Sequence, residues 1–209
     1  MINNKTFLYS VAFLSMTVPV QGRFIYGVII VLELILLELA GTLLKSLSEK
    51  LKFNEISTYF VMMILVCLTI LYRQILAMTY SEAALTMGFA IYFPTVSEFL
   101  FYTVFQTEEE TLSKRLTTNL IKVLKFSLPI LIFYLFRDVA GFGTFTFFGS
   151  NHKIFEKVIL NPDKIGMFMF FASIPGSLIL SGALIYLCIF AKNKILQYAP
   201  AETDKEVKA

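Results

Sequence analysis

Chemistry-bearing side chains are scarce in this chain of 209 residues: one histidine, two cysteines, and charged residues at only 16% of positions. Cys67 and Cys188 each lie inside an apolar run, with no Cys or His at ligand spacing, so a CxxC metal or redox motif is excluded. The lone histidine, His152, sits in a polar connection and reads as solvated. No Ser/His/Asp set, phosphate-binding glycine loop or dinucleotide fingerprint is present, which leaves a membrane enzyme the weakest functional class. The net charge of +3 is small and scattered, which argues against nucleic-acid binding.

What the chain has instead is apolar surface: 57% of its residues are hydrophobic and its mean hydropathy is +0.73. A soluble core of this length could not hide so much, so the reading is an all-α polytopic membrane protein. Six segments are expected. Phe7 to Val20 is too short to span unaided; it resembles a signal peptide after Lys5 but lacks a small-residue cleavage site, and a half-length helix ending near Pro19 fits better. Phe24 to Leu44 follows, with Glu33 near its centre and Glu38 five residues on, about 140° away around a helix. Tyr59 to Leu76 is the third. Ser81 to Phe105, roughly 36 Å if helical, is the fourth, and it carries Pro94 and Glu98 near its middle. Leu116 to Phe136 is the fifth, closed by Arg137 and by Gly141 and Gly143, which read as a helix stop. Ile165 to Ala191 is the sixth, interrupted at Pro175-Gly176.

Pro94 removes an N–H and crowds the carbonyl of Ala90, so a helix should kink or break there. An orphaned carbonyl at membrane depth is tolerated only under protein or beside a water-filled cavity. Glu33 and Glu98 carry the same message, because intramembrane carboxylates face a bundle interior. They are the candidate ion-path or buried polar residues. Pro19, Pro94, Arg137, Gly141, Gly143, Pro175 and Gly176 are candidate structural residues.

The six segments divide into two groups of three, about 6–76 and 81–191, within one membrane domain of residues 1–198; residues 199–209 form a charged tail expected to be disordered. The first helix of each group carries the central proline. Three crossings per half would invert the second half, and paired broken helices then point to a midplane site. Lys5, Lys45, Lys50, Lys52, Lys114, Arg115, Lys192, Lys194, Lys205 and Lys208 fall on one side, a majority of ten against six. Both termini are therefore expected to be cytoplasmic.

These stretches resemble the six-helix membrane subunits of the Rnf and sodium-pumping NADH:quinone oxidoreductase (Nqr) complexes, nearest to the RnfE/NqrD branch. Ala90-Ile91-Tyr92-Phe93-Pro94 is similar to that family's Gly-Ile-Tyr-Ile-Pro. Arg137 to Phe145, Arg-Asp-Val-Ala-Gly-Phe-Gly-Thr-Phe, is similar to its Arg-Glu-Ile-Leu-Gly-x-Gly-Thr-Leu. Ile174-Pro175-Gly176 resembles its Pro-Pro-Gly, and Val18-Pro19 stands where it has Cys-Pro. The resemblance implies a bacterial inner-membrane subunit working beside a homologous six-helix partner. It also implies a [2Fe–2S] cluster held by one cysteine from each broken helix, and those positions hold Val18 and Leu100 here, with Phe99 at a neighbouring asparagine. Neither is a ligand. The expected chain is thus a scaffold or ion-path subunit without a cluster; a small free-standing inverted-repeat transporter is the alternative.

Overall fold

The computed structural model describes residues 4–51, 57–97, 111–149, 153–160 and 169–198. Glu98, Phe99, Leu100, His152 and the tail 199–209 lie outside them. Among the described residues, three helices are long and apolar enough to cross a bilayer: α2 (Phe24–Lys50), α3 (Ser57–Thr79), and α5 (Leu112–Arg137) with its continuation to Phe142. The other helices among the described residues are α1 (Asn4–Thr17), α4 (Ser81–Met87), α6 (Met169–Ala172) and the 25-residue α7 (Ile174–Tyr198).

Both faces of the long helices are apolar, which is what a lipid surround selects. On α2 the inward stripe runs through Ile25, Ile29, Ile30, Leu34 and Leu37, while Leu32, Leu36, Leu39, Leu43 and Leu47 point outward. On α3 only Val61, Leu65, Thr69 and Leu76 are buried, and Met63, Leu71, Ile75 and Met78 are exposed. Helix α5 buries Val123, Phe126, Ile130, Phe133 and Tyr134 and exposes Leu124, Leu128, Ile132 and Phe136. Ridges of exposed leucine and isoleucine would be costly in water and are neutral in hydrocarbon.

Helix α2 pairs antiparallel with both long neighbours. Gly27 lies against Tyr134, Thr42 is bonded to Asn119, and Glu49 meets Arg115, which fixes the α2–α5 alignment along the full length of α2. Against α3, Ile29 meets Tyr72 and Gly41 meets Leu65. A Cβ on Gly27 would come within 2.6 Å of the Tyr134 ring, so the two backbones approach as they do only because that residue is glycine.

The chain is mostly helical, and the expectation of an all-α fold is corrected at one place. Thr144–Phe148 (β1) and Ile154–Val158 (β2) form an antiparallel hairpin, with Thr146 opposite Glu156. Thr144 and Thr146 turn inward while Phe145 and Phe147 stack on Phe24 at the start of α2, at 5.2 and 6.3 Å between ring centres. This is the period-two alternation of a strand with one buried face, and β2 falls within the polar connection that carries His152.

The fourth segment is broken, but not where its proline suggested. Helix α4 ends at Gly88, whose φ of +51° only glycine adopts readily, and Gly88–Tyr92 continues as a 3-10 turn. Residues 93–97 are helical again, so Pro94 falls in a first turn, where its missing N–H is not needed. The tighter turn also resolves the carbonyl of Ala90, which accepts from the N–H of Phe93 instead.

A candidate functional site: the arginine junction and the buried carboxyl

Two polar places are built into this apolar frame. The first is centred on Arg137, which is fully buried at the last position of α5. All five of its N–H donors are used on backbone carbonyls. Nη1 donates to Thr17 (2.8 Å) and Val20 (3.0 Å), Nη2 to Ala172 (2.9 Å) and Ser173 (3.4 Å), and Nε to Phe171 (3.2 Å). These carbonyls lie at two chain breaks, the one that follows α1 around Pro19 and the one between α6 and α7. A delocalised cation with a fixed fork of donors suits such a place as no lysine could.

Further bonds stitch the same two breaks together. The Gly22 N–H donates to Ala172 O (3.3 Å), and the Ser177 hydroxyl to Val18 O (3.1 Å). Tyr134, one turn before Arg137, donates to Met16 O at 2.9 Å. The second break is itself capped: Ser173 accepts from the N–H of Gly176 (3.4 Å) at the start of α7, an N-cap to third-residue bond. Pro175 is the second residue of that helix, and Gly176 passes so close to Phe170 O that a Cβ would fall 1.9 Å from it.

Asp138 points the other way. Its Oδ2 accepts from the Phe24 N–H (3.1 Å), the Thr146 N–H (2.8 Å) and the Thr146 hydroxyl (2.7 Å), and its Oδ1 from the Thr144 hydroxyl (3.0 Å). A buried carboxylate thus sits at the positive end of α2 and holds the hairpin to it. Residues 138–142 form one π turn, and Gly143, at φ +66°, ends it in the left-handed region. Gly141 has a different reason to be glycine: a Cβ there would lie 2.5 Å from that of Ala172.

The second place is Glu33. It has no solvent exposure, and neither carboxyl oxygen has a hydrogen-bond partner among the described residues. Tyr72 on α3 lies close enough to interact with it electrostatically, though its hydroxyl donates to Ile29 O (2.9 Å). One turn along α3, the hydroxyls of Thr69 and Thr95 are bonded to each other, and those of Ser97 and Ser15 meet at 2.6 Å. The resumed helix of the fourth segment is therefore joined by paired hydroxyls to α3 and to α1. Glu38 is also buried, and it accepts from the Thr42 hydroxyl (3.2 Å), which in turn accepts from Asn119 (3.2 Å).

Compared with known protein families, curated proteins and solved structures, the chain matches none. The chemistry has to be read from the two places themselves. Neither holds a nucleophile beside a base, and no group of three metal-ligating side chains occurs among the described residues. Val18 is half-buried in the first break, and Cys67 is exposed on α3.

Sequence reasoning singled out Arg137 and Glu33 but missed Asp138, Tyr134, Gly27, Asn119 and Thr42. Asp138 stood in view within the Arg137–Phe145 stretch. Its partners Thr144 and Thr146 show its role only once the Thr/Phe alternation is recognised as a strand.

Proposed function

We propose that the chain is an integral membrane subunit of an Rnf/Nqr-like ion-translocating electron-transport complex, acting as scaffold or ion-path subunit and carrying no [2Fe–2S] cluster itself. It stands in a bacterial cytoplasmic membrane with both termini on the cytoplasmic side, as six segments in two inverted groups of three, beside a homologous six-helix subunit. One observation carries the reading. The stretch that bears the resemblance, Arg137 to Phe145, is the one that ties the break after α1 to the break before α7 and clamps the hairpin to α2. A motif with that position supports a retained scaffold, with the ligand positions free to change.

Affinity purification of the tagged full chain in mild detergent tests this. A second six-helix subunit and flavin- or ferredoxin-type reductase subunits should co-purify in fixed proportion. A chain that purifies alone from native membranes, monodisperse and folded, refutes it. Glu33, which has no hydrogen-bond partner among the described residues, favours the second reading, a free-standing small transporter, because intramembrane carboxyls mark ion paths and proton relays.

A further inference from the structure

The buried polar residues of α2 are distributed unevenly about Glu33. Towards the hairpin end the buried positions are Val31, Ile30, Ile29, Gly27, Tyr26 and Ile25, with Gly27 against Tyr134, whose hydroxyl is tied to Met16 O. Towards the Lys50 end they include Glu38, Thr42 and Ser48. The Glu38–Thr42–Asn119 chain of hydrogen bonds lies towards the end of α2 where Glu49 and Arg115 pair at 2.7 Å. Between the two carboxyls stand Leu34 and Leu37, both buried, over an axial rise of about 7.5 Å.

A fully buried carboxyl whose oxygens are both unbonded among the described residues carries an uncompensated desolvation cost. A proton lowers that cost, and a route to water lets the proton exchange. We propose that Glu33 is a proton-exchanging carboxyl with one-sided access, reached from the Lys50 end of α2 through Asn119, Thr42 and Glu38 and closed towards the hairpin by Ile29, Ile30 and Tyr134. Leu34 and Leu37 form the gate. In the exchange step the Glu33 carboxyl gives its proton to water admitted past the leucines, Glu38 takes it up and releases it to water entering beside Thr42 and Asn119, and Glu33 is left as a carboxylate until a solvent proton returns by the same route.

The titratable and charged groups around this route come from each element packed on α2. Tyr72 faces it from α3, and Tyr134 and Arg137 stand at the sealed end of α5, both with their donors engaged. Lys122 and Arg115 lie towards the open end of α5, Tyr9 on α1, and Tyr26, Lys45 and Glu49 on α2 itself. The inference rests on α2 crossing the membrane and not on which assembly the chain enters.

The test uses the full chain in lipid nanodiscs. Dicyclohexylcarbodiimide, an apolar reagent that modifies protonated carboxyls within membranes, should label Glu33 in the wild type ahead of exposed Glu82 and Glu156, as read by peptide mass mapping. Infrared spectroscopy should show a protonated-carboxyl stretch that is absent in Glu33→Gln and shifts in heavy water. Thr42→Val and Asn119→Leu should slow that shift by about tenfold, the effect of a barrier raised by about 1.4 kcal/mol. The wild-type labelling needs no variant to fold, and Thr42→Val is nearly isosteric. Glu33 left unmodified while exposed carboxyls react overturns the site. Exchange unchanged in both path variants overturns the route.

Discussion

At the scale of single residues, the junction depends on two neighbours with opposite charge and opposite directions. Arg137 satisfies five carbonyls, and each one left without a donor in a dry interior costs about 1–3 kcal/mol. Arg137→Ala should therefore abolish most folded protein, measured as the monodisperse peak of a fluorescent fusion in detergent. Arg137→Lys should rescue little of it, because three donors on one nitrogen cannot reach two separate chain breaks. Asp138 should behave differently. An amide oxygen can still accept what Oδ2 accepts, and the Thr144 hydroxyl can turn to accept from the new NH2. Asp138→Asn should thus retain far more folded protein than Asp138→Ala. The sequence placed Arg137 at a helix end and suggested that it steadies that helix. It could not show that the guanidinium serves the ends of two other segments, because those carbonyls come from about 120 and 35 residues away in the chain.

At the scale of elements, the breaks teach how local signals compete. Pro19 and Pro175 lie where helices stop or start, as their chemistry demands. Pro94 was the stronger signal in its segment, yet Gly88 is where the helix breaks, because a positive φ is cheap for glycine and a proline in a first turn disturbs nothing. The hairpin was legible as Thr-Phe-Thr-Phe-Phe and Ile-Phe-Glu-Lys-Val, rich in aromatic and β-branched residues. It was hidden by its place next to a glycine motif that reads as a helix stop. Two glycines now separate conformation from contact. Gly88 has open space around its missing Cβ, so Gly88→Ala meets only backbone strain, about 1–3 kcal/mol for a residue held in a sparsely populated φ/ψ region. Gly141 has ordinary dihedrals but no room beside Ala172, so Gly141→Val should push α6 off the π turn and disturb the Arg137 bonds. Thermal unfolding in detergent should show a small shift for the first and a loss of the cooperative transition for the second.

At the scale of the whole molecule, polarity is arranged by ends. Arg23 pairs with Glu156 at the hairpin end (3.4 Å), and Glu49 pairs with Arg115 at the other, about 40 Å apart along α2. Reporter fusions at Lys52 and at His152 should accordingly read opposite sides of the membrane. The same frame bears on the absent thiols. An iron–sulfur cluster needs thiolates, or histidines in Rieske centres, converging on its irons. Val18, at the first break, has no lone pair to offer, and Leu100 has none either. Cys67 is exposed on the outward side of α3 and Cys188 lies late in α7, so neither belongs to the break after α1 or to the break at Gly88. Two thiols from one subunit could at most ligate half a cluster, and nothing in the paired hydroxyls of Ser15 with Ser97 and Thr69 with Thr95 supplies the rest. Under the proposed function, the protein purified anaerobically from native membranes should therefore owe no iron, visible absorption or paramagnetic resonance to its own cysteines. A signal that disappears in Cys67→Ser or Cys188→Ser would return electron transfer to this chain, and with it the need for a second subunit to complete the ligand set.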